Sequence, residues 1–209
     1  MLRHGAHANP PERIATERLL LRRWRTDDAP RLEAVLAASV AHLRPWIPWT
    51  IAEPAPLAEL EARIARFSSN FDAGREWLWA ILPRDESELL GGLGLYPRSA
   101  TARVPLADAD RVEIGYWLGA GATGRGYATE AVQALLAIAD ALPGISRIEI
   151  RCDPRNEASV AIPRRLGFTL ARALEEDSMN GAGARQDTMV WERATAPARP
   201  IHSEAGRPT

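Results

Sequence analysis

Cysteine occurs once in this chain, at Cys152, so no internal disulfide is available and a reducing, cytoplasmic setting is expected. The four histidines, His4, His7, His42 and His202, have no metal-ligand spacing, so no metal is expected. No apolar run approaches the ~20 residues needed to span a bilayer. The opening MLRHGAHANPPER lacks the apolar core of a secretion signal. Lysine is missing: all 26 basic residues are arginine, which reads as a bias of composition rather than a functional signature. The 27 acidic residues bring the formal charge to −1, so neither nucleic acid nor an anionic membrane is an expected partner. No internal repeat is present.

What remains is the composition of a soluble globule, with 46% hydrophobic and 25% charged residues in a chain of 209. One domain is expected over residues 14–193. A short disordered lead-in is expected at 1–13, and a disordered tail at 194–209, where Ala, Pro, Arg and Gly take over.

The densest signal is GAGATGRGYATEAVQALLAIA, from Gly119 to Ala139. A strand-like run, Val112 to Leu118, leads into it, and an apolar-periodic helix opens near Thr129. The first N–H groups of a helix lack internal partners, and the helix dipole favours negative charge there. Glycines let that backbone approach a phosphate closely. The stretch therefore predicts a grip on a phosphorylated small molecule. Gly119 to Gly124 spells G-x-G-x-x-G, the dinucleotide fingerprint, whose third glycine belongs inside the helix with an acid about 20 residues on. Here Arg125, Gly126 and Tyr127 intervene, and the later stretch is a helix end, so that reading fits poorly. A glycine-rich turn with no ligand is the bland alternative.

Periodicity places the remaining elements. Leu19 to Trp24 reads as a strand. A helix follows from Thr26 or Asp28, then a proline-rich loop and a second helix over Leu57 to Phe71. Trp77 to Leu82 and Leu89 to Tyr96 read as a hairpin, Pro97 to Asp110 as a long loop, and Arg147 to Cys152 as a strand. Glu157 to Leu166 reads as a helix closed by Gly167 and disturbed by Pro163. Thr169 to Asp177 and Asp187 to Arg193 read as a final hairpin. The order predicts an α/β fold.

Thr123-Gly-Arg-Gly126-Tyr-Ala128 resembles the acyl-CoA loop Gln/Arg-x-x-Gly-x-Gly/Ala of the GNAT superfamily, the GCN5-related N-acetyltransferases. Thr123 departs from the usual Gln or Arg, which puts one phosphate contact in doubt. The continuation Gly-Tyr-Ala-Thr-Glu-Ala (126–131) is similar to the branch that acetylates the N-terminal alanine or serine of ribosomal proteins. Thr16 to Arg23 resembles the opening strand of that branch. His42-Leu-Arg-Pro-Trp-Ile-Pro-Trp49 resembles its tryptophan-rich loop. Asn156 to Ser159 and Arg165 to Phe168 resemble the end of its core. The resemblance runs from about Ile14 to Glu192.

It implies a GNAT-type mixed, mostly antiparallel central sheet flanked by helices, with a splayed strand pair forming the acyl-CoA cleft. It implies acetyl-CoA as co-substrate and a primary amine, either a protein N-terminus or a small amine, as acceptor. The amine would attack directly with general acid and base help. A non-catalytic acyl-CoA sensor on the same fold is the rival reading, and the assembly is expected to be a monomer or homodimer. Cofactor contacts fall on Trp117, Leu118, Thr123, Gly124, Arg125, Gly126, Tyr127, Ala128, Thr129 and Asn156, with a backbone N–H at Trp117–Leu118 facing the thioester oxygen. Glu113 is the candidate base and Ser159 the candidate acid, because an alkyl ammonium must lose a proton and the leaving thiolate must gain one. Trp46 and Trp49 are candidate walls of the acceptor site. Cys152 reads as a packed strand cysteine. Glu53 and Glu175 to Asp177 suggest an acidic mouth that favours a cationic acceptor.

Overall fold

The computed structural model describes residues 9–196; the rest of the expected lead-in and tail lies outside the described residues. The strands are β1 Arg13–Ala15, β2 Leu19–Arg23, β3 Trp77–Pro83, β4 Gly91–Arg98, β5 Arg111–Leu118, β6 Arg147–Cys152, β7 Thr169–Met179 and β8 Arg185–Ala194. The α-helices are α1 Ala29–Leu43, α2 Leu57–Asp72, α3 Tyr127–Ala141 and α4 Glu157–Arg165. The strands form one eight-stranded sheet in the order β1-β2-β3-β4-β5-β6-β8-β7. Every neighbouring pair is antiparallel except β5 and β6, which run parallel. This is the mixed, mostly antiparallel α/β sheet expected from the sequence.

Strand alternation divides the core into two layers. Trp77, Trp79 and Ile81 of β3, with Val112 and Ile114 of β5, pack on the face covered by Val132, Leu135 and Ala139 of α3. Ala80 and Leu82 of β3 point the other way, against Leu32 and Leu36 of α1 and Leu60 and Ile64 of α2. The helices bury the stripes that their apolar spacing marks.

The parallel pair positions the site. β5 and β6 keep register only from Arg111↔Arg147 to Ile114↔Ile150. Beyond Ile114, β5 continues to Leu118 along β4, while β6 continues to Cys152 along β8. The two strands therefore part, which is the splayed pair expected above.

Three features differ from the sequence reading. β1 is an additional strand, paired to β2 through Ile14↔Leu21, too short and too polar to announce itself by alternation. Ahead of it, Asn9 accepts from Trp77 Nε1 at 3.2 Å and the Pro11 carbonyl accepts from Trp79 Nε1 at 3.0 Å. α3 opens at Tyr127 rather than near Thr129, because left-handed Gly126 (φ 80°) already serves as its N-cap. No helix among the described residues is long and apolar enough to cross a membrane.

Candidate active site

The glycine loop is a cradle of free backbone donors. Gly124 (φ 74°) and Gly126 (φ 80°) are both left-handed, a conformation that side chains resist. A Cβ on Gly124 would meet nothing within 4 Å, so this stretch of chain lies open. No side chain caps α3, and its first internal bond runs from Glu130 N to Gly126 O at 3.1 Å. The N–H groups of Tyr127, Ala128 and Thr129 are therefore unclaimed within the helix and suit an anion. The Thr123 hydroxyl donates to the Ala120 carbonyl at 3.0 Å, so its proton closes the turn rather than facing outward.

A latch fixes the cradle to the rest of the sheet. Glu130 accepts from Thr16 Oγ1 at 2.6 Å, Arg18 N at 2.8 Å and Arg18 Nε at 2.7 Å. Burial pushes the Glu130 carboxyl up, but these donors outweigh it and hold the group below its usual range. The Arg18 guanidinium also covers the Tyr127 ring at 4.9 Å and donates to the Arg125 carbonyl at 2.9 Å. The Arg125 side chain is exposed.

From the cradle a cleft of about 400 Å³ runs into the gap between β5 and β6. Thr123, Gly124, Gly126 and Tyr127 line its outer end, and Leu118, Cys152 and Ser159 line its inner part. Gly119 N–H donates to the carbonyl of Leu90, just ahead of β4, at 2.8 Å. Alternation then turns the Leu118 N–H to the opposite edge, where β6 has parted, so the Leu118 N–H rather than that of Trp117 faces the gap. Asn156 caps α4, its Oδ1 accepting from Ser159 N at 3.1 Å, and it also lines the cleft. The Tyr116 hydroxyl donates to the Ser159 carbonyl at 3.2 Å and lies 3.1 Å from Ser159 Oγ.

A second cavity, of about 650 Å³, meets the first at Gly115, Tyr116, Trp117, Trp46 and Ile47. Trp49, Trp117 and Phe67 make much of its wall, and the Trp49 and Trp117 rings meet edge to face at 5.8 Å. Glu113, the candidate base, lines this cavity, but it is not free. Its carboxylate accepts from Arg98 at 2.6 Å and lies 3.7 Å from Arg103 and 3.8 Å from Arg151.

The expected acidic mouth is not built. Glu53 is buried, bonded to Arg63 at 2.6 Å and to Ala55 N at 3.0 Å, and does not face the cavity. The cavity wall instead carries Glu59, Glu76 and Glu113 beside Arg63, Arg66 and Arg103, with no net sign. Sequence reasoning also missed Tyr116. The signal was available in Pro163: a proline inside a helix leaves the carbonyl four residues earlier without its N–H partner, and that carbonyl is Ser159's.

A parallel strand pair that opens beside an uncapped, glycine-led helix defines a transferase fold of the splayed-sheet type. Residues 18–169 match the sequence profile of the Acetyltransferase (GNAT) domain, and the chain belongs to the GNAT acetyltransferase family. It is 26% identical over 165 residues to the ribosomal protein uS5-alanine N-acetyltransferase of Escherichia coli (strain K12), covering 78% of this chain and 82% of that protein. Two solved structures share the fold. One is the microcin C7 self-immunity acetyltransferase MccE in complex with acetyl-CoA and AMP, with a TM-score of 0.76, 20% identity, and 88% of this chain and 97% of that chain covered. The other is RimL, the ribosomal L7/L12 alpha-N-protein acetyltransferase, in complex with coenzyme A. Its TM-score is 0.76 at 23% identity, over 88% of this chain and 98% of that one. No group of three or more His, Cys, Asp or Glu side chains among the described residues is arranged to hold a metal ion.

Proposed function

We propose that this acetyltransferase moves the acetyl group of acetyl-CoA directly onto a primary amine, a peptide N-terminus. The observation that carries the reading is the junction of the two cavities at Gly115 to Trp117. One cavity leads to the uncapped N-terminus of α3, which suits a pyrophosphate. The other is open, walled by aromatic rings and balanced in charge, which suits the end of a peptide or a small amine. The Escherichia coli relative, a ribosomal protein uS5-alanine N-acetyltransferase, supports a peptide acceptor.

In this reading the cradle from Gly124 to Thr129 holds the pyrophosphate, with Thr123 shaping the turn and exposed Arg125 adding charge. The Leu118 N–H faces the thioester oxygen, and Trp117 forms the wall between donor and acceptor. Asn156 holds the start of α4 so that Ser159 faces the departing sulfur. Glu113, engaged by Arg98, acts through water on the incoming ammonium rather than by direct contact. Trp46 and Trp49 shape the acceptor wall.

Thiol release is the test, with acetyl-CoA and a panel of alanine- and serine-N-terminal peptides, polyamines and free amino acids. The reading expects release with peptides and an acetylated product of matching mass. Binding of acetyl-CoA without release by any amine would establish the sensor reading instead.

A further inference from the structure

We propose that Tyr116 is a positioning residue for the transfer: its phenol hydroxyl holds Ser159 ready to pass a proton from the attacking nitrogen to the departing sulfur. This inference rests on the acetyl transfer proposed above.

The arrangement begins with Pro163. It lies inside α4, four residues after Ser159, and has no N–H to offer the Ser159 carbonyl. A partly buried carbonyl left without a donor is unfavourable. β5 supplies the missing donor, the Tyr116 hydroxyl, at 3.2 Å. The same phenol oxygen lies 3.1 Å from Ser159 Oγ. Ser159 N–H is held from the other side by Asn156 Oδ1 at 3.1 Å. Ser159 is therefore fixed at its N–H, its carbonyl and its hydroxyl, and only the hydroxyl proton has a choice of direction.

Two proton arrangements share these oxygen positions. When the phenol donates to the carbonyl, Ser159 donates to the phenol oxygen and its proton points away from the cleft. When the phenol donates to Ser159 Oγ, the serine proton is free to face the cleft. Tyr116 lines both cavities, so this choice is made where nitrogen, acetyl carbon and sulfur must meet. Burial pushes the phenol pKa well up, against the opposing bond to Ser159, so Tyr116 remains a neutral donor.

The step balances without net change on either side chain. A neutral amine forms the C–N bond to the acetyl carbon. A nitrogen proton passes to Ser159 Oγ as the serine proton passes to sulfur. The C–S bond breaks with its electron pair on sulfur, giving an amide and a free thiol.

The test is a double-mutant cycle with acetyl-CoA and an alanine-N-terminal peptide. Tyr116→Phe is expected to lower kcat on the order of tenfold, below the ~10²–10⁴ of a direct acid or base, with little change in either KM. In a Ser159→Ala background, Tyr116→Phe is expected to leave kcat where it was. The thermal midpoint should fall in both backgrounds, because the carbonyl loses its donor in both. A purely structural tyrosine would lower kcat by the same factor in both backgrounds, and that result, or wild-type kcat in Tyr116→Phe, overturns the proposal. Should Tyr116→Phe fail to fold, Pro163→Ala combined with it restores an N–H to the Ser159 carbonyl. Stability should then return while the kcat defect persists, and recovery of kcat as well would overturn the proposal. A wild-type protein that releases no thiol with any amine overturns the acetyl-transfer reading and this inference with it. A wild type that turns over with an additive cycle overturns only the role of Tyr116.

Discussion

The amide of Gly181 donates to the carbonyl of Arg44 at 2.9 Å, tying the tip of the β7–β8 hairpin to the loop that carries Trp46 and Trp49. A Cβ at Gly181 would collide with Thr50 Oγ1 and come within 2.8 Å of the Ile47 carbonyl, so the contact requires glycine. Two segments 137 residues apart thus set the wall proposed for the acceptor together. Gly181→Val is expected to raise the acceptor KM severalfold while acetyl-CoA affinity stays within about twofold, since the two sites share few contacts. Titration calorimetry with acetyl-CoA and steady-state kinetics with peptide separate the two effects. Equal losses on both sides would mean that the hairpin supports the whole fold rather than the acceptor wall.

The cradle makes a sharper prediction. Gly126→Glu places a carboxylate at the mouth of α3, where an anion is to bind, and it strains a left-handed position. Gly126→Ala adds the strain alone, worth about 1–3 kcal/mol of fold stability. Acetyl-CoA binding should survive in Gly126→Ala and vanish in Gly126→Glu. Similar affinities in the two variants would mean that the loop does not contact the pyrophosphate.

Cys152 lines the cleft, yet burial pushes its thiol up. A thiol kept protonated at neutral pH is a poor nucleophile. Cys152→Ala is therefore expected to keep kcat within about threefold, as direct transfer without an acyl-enzyme requires. A loss of a hundredfold or more, with a burst of thiol release in the wild type alone, would establish a covalent path.

Glu149, on β6, is fully buried, with Arg111 at 2.8 Å and Arg151 and Arg172 both at 3.3 Å. Burial pushes its carboxyl up, but Arg111 and Arg151 more than offset this and hold it below the usual range. A carboxyl depressed on folding stabilises fully above its unfolded value, about 4.3. That stability is lost as the pH falls through the lower folded value. Glu149→Leu should lower stability at pH 7 by about 1–3 kcal/mol, because Arg111 loses its buried charged partner and keeps only Asp110 at 2.9 Å and Glu192 at 3.7 Å. It should also flatten the acid limb of urea unfolding below pH 5. An unchanged midpoint and acid limb would mean that the arginines are compensated elsewhere.

Where the sequence was legible, one segment carried its own signal. β6 was bounded at Arg147 and Cys152 as found, because alternation and flanking breakers lie within that segment. The parting of β5 from β6 was implied by the resemblance to the GNAT family, not by any pattern within either strand. The features missed depend on partners far along the chain. Glu53 reads as a free acid until Arg63 is folded back onto it. Glu113 reads as an available base until Arg98 and Arg103, from β4 and its following loop, close over it. Tyr116 looks like one more strand aromatic until Pro163 exposes the carbonyl that it serves.

The central claim is that the cleft between β5 and β6 delivers acetyl-CoA to an amine entering past Trp46 and Trp49. Steady-state thiol release with acetyl-CoA and an alanine-N-terminal peptide, measured for the wild type and Gly126→Glu together, tests it most directly. The account predicts one acetylated peptide for each thiol released by the wild type, and no release by the folded variant at the same concentrations. Equal release by both proteins, or none by the wild type with any amine, would contradict it.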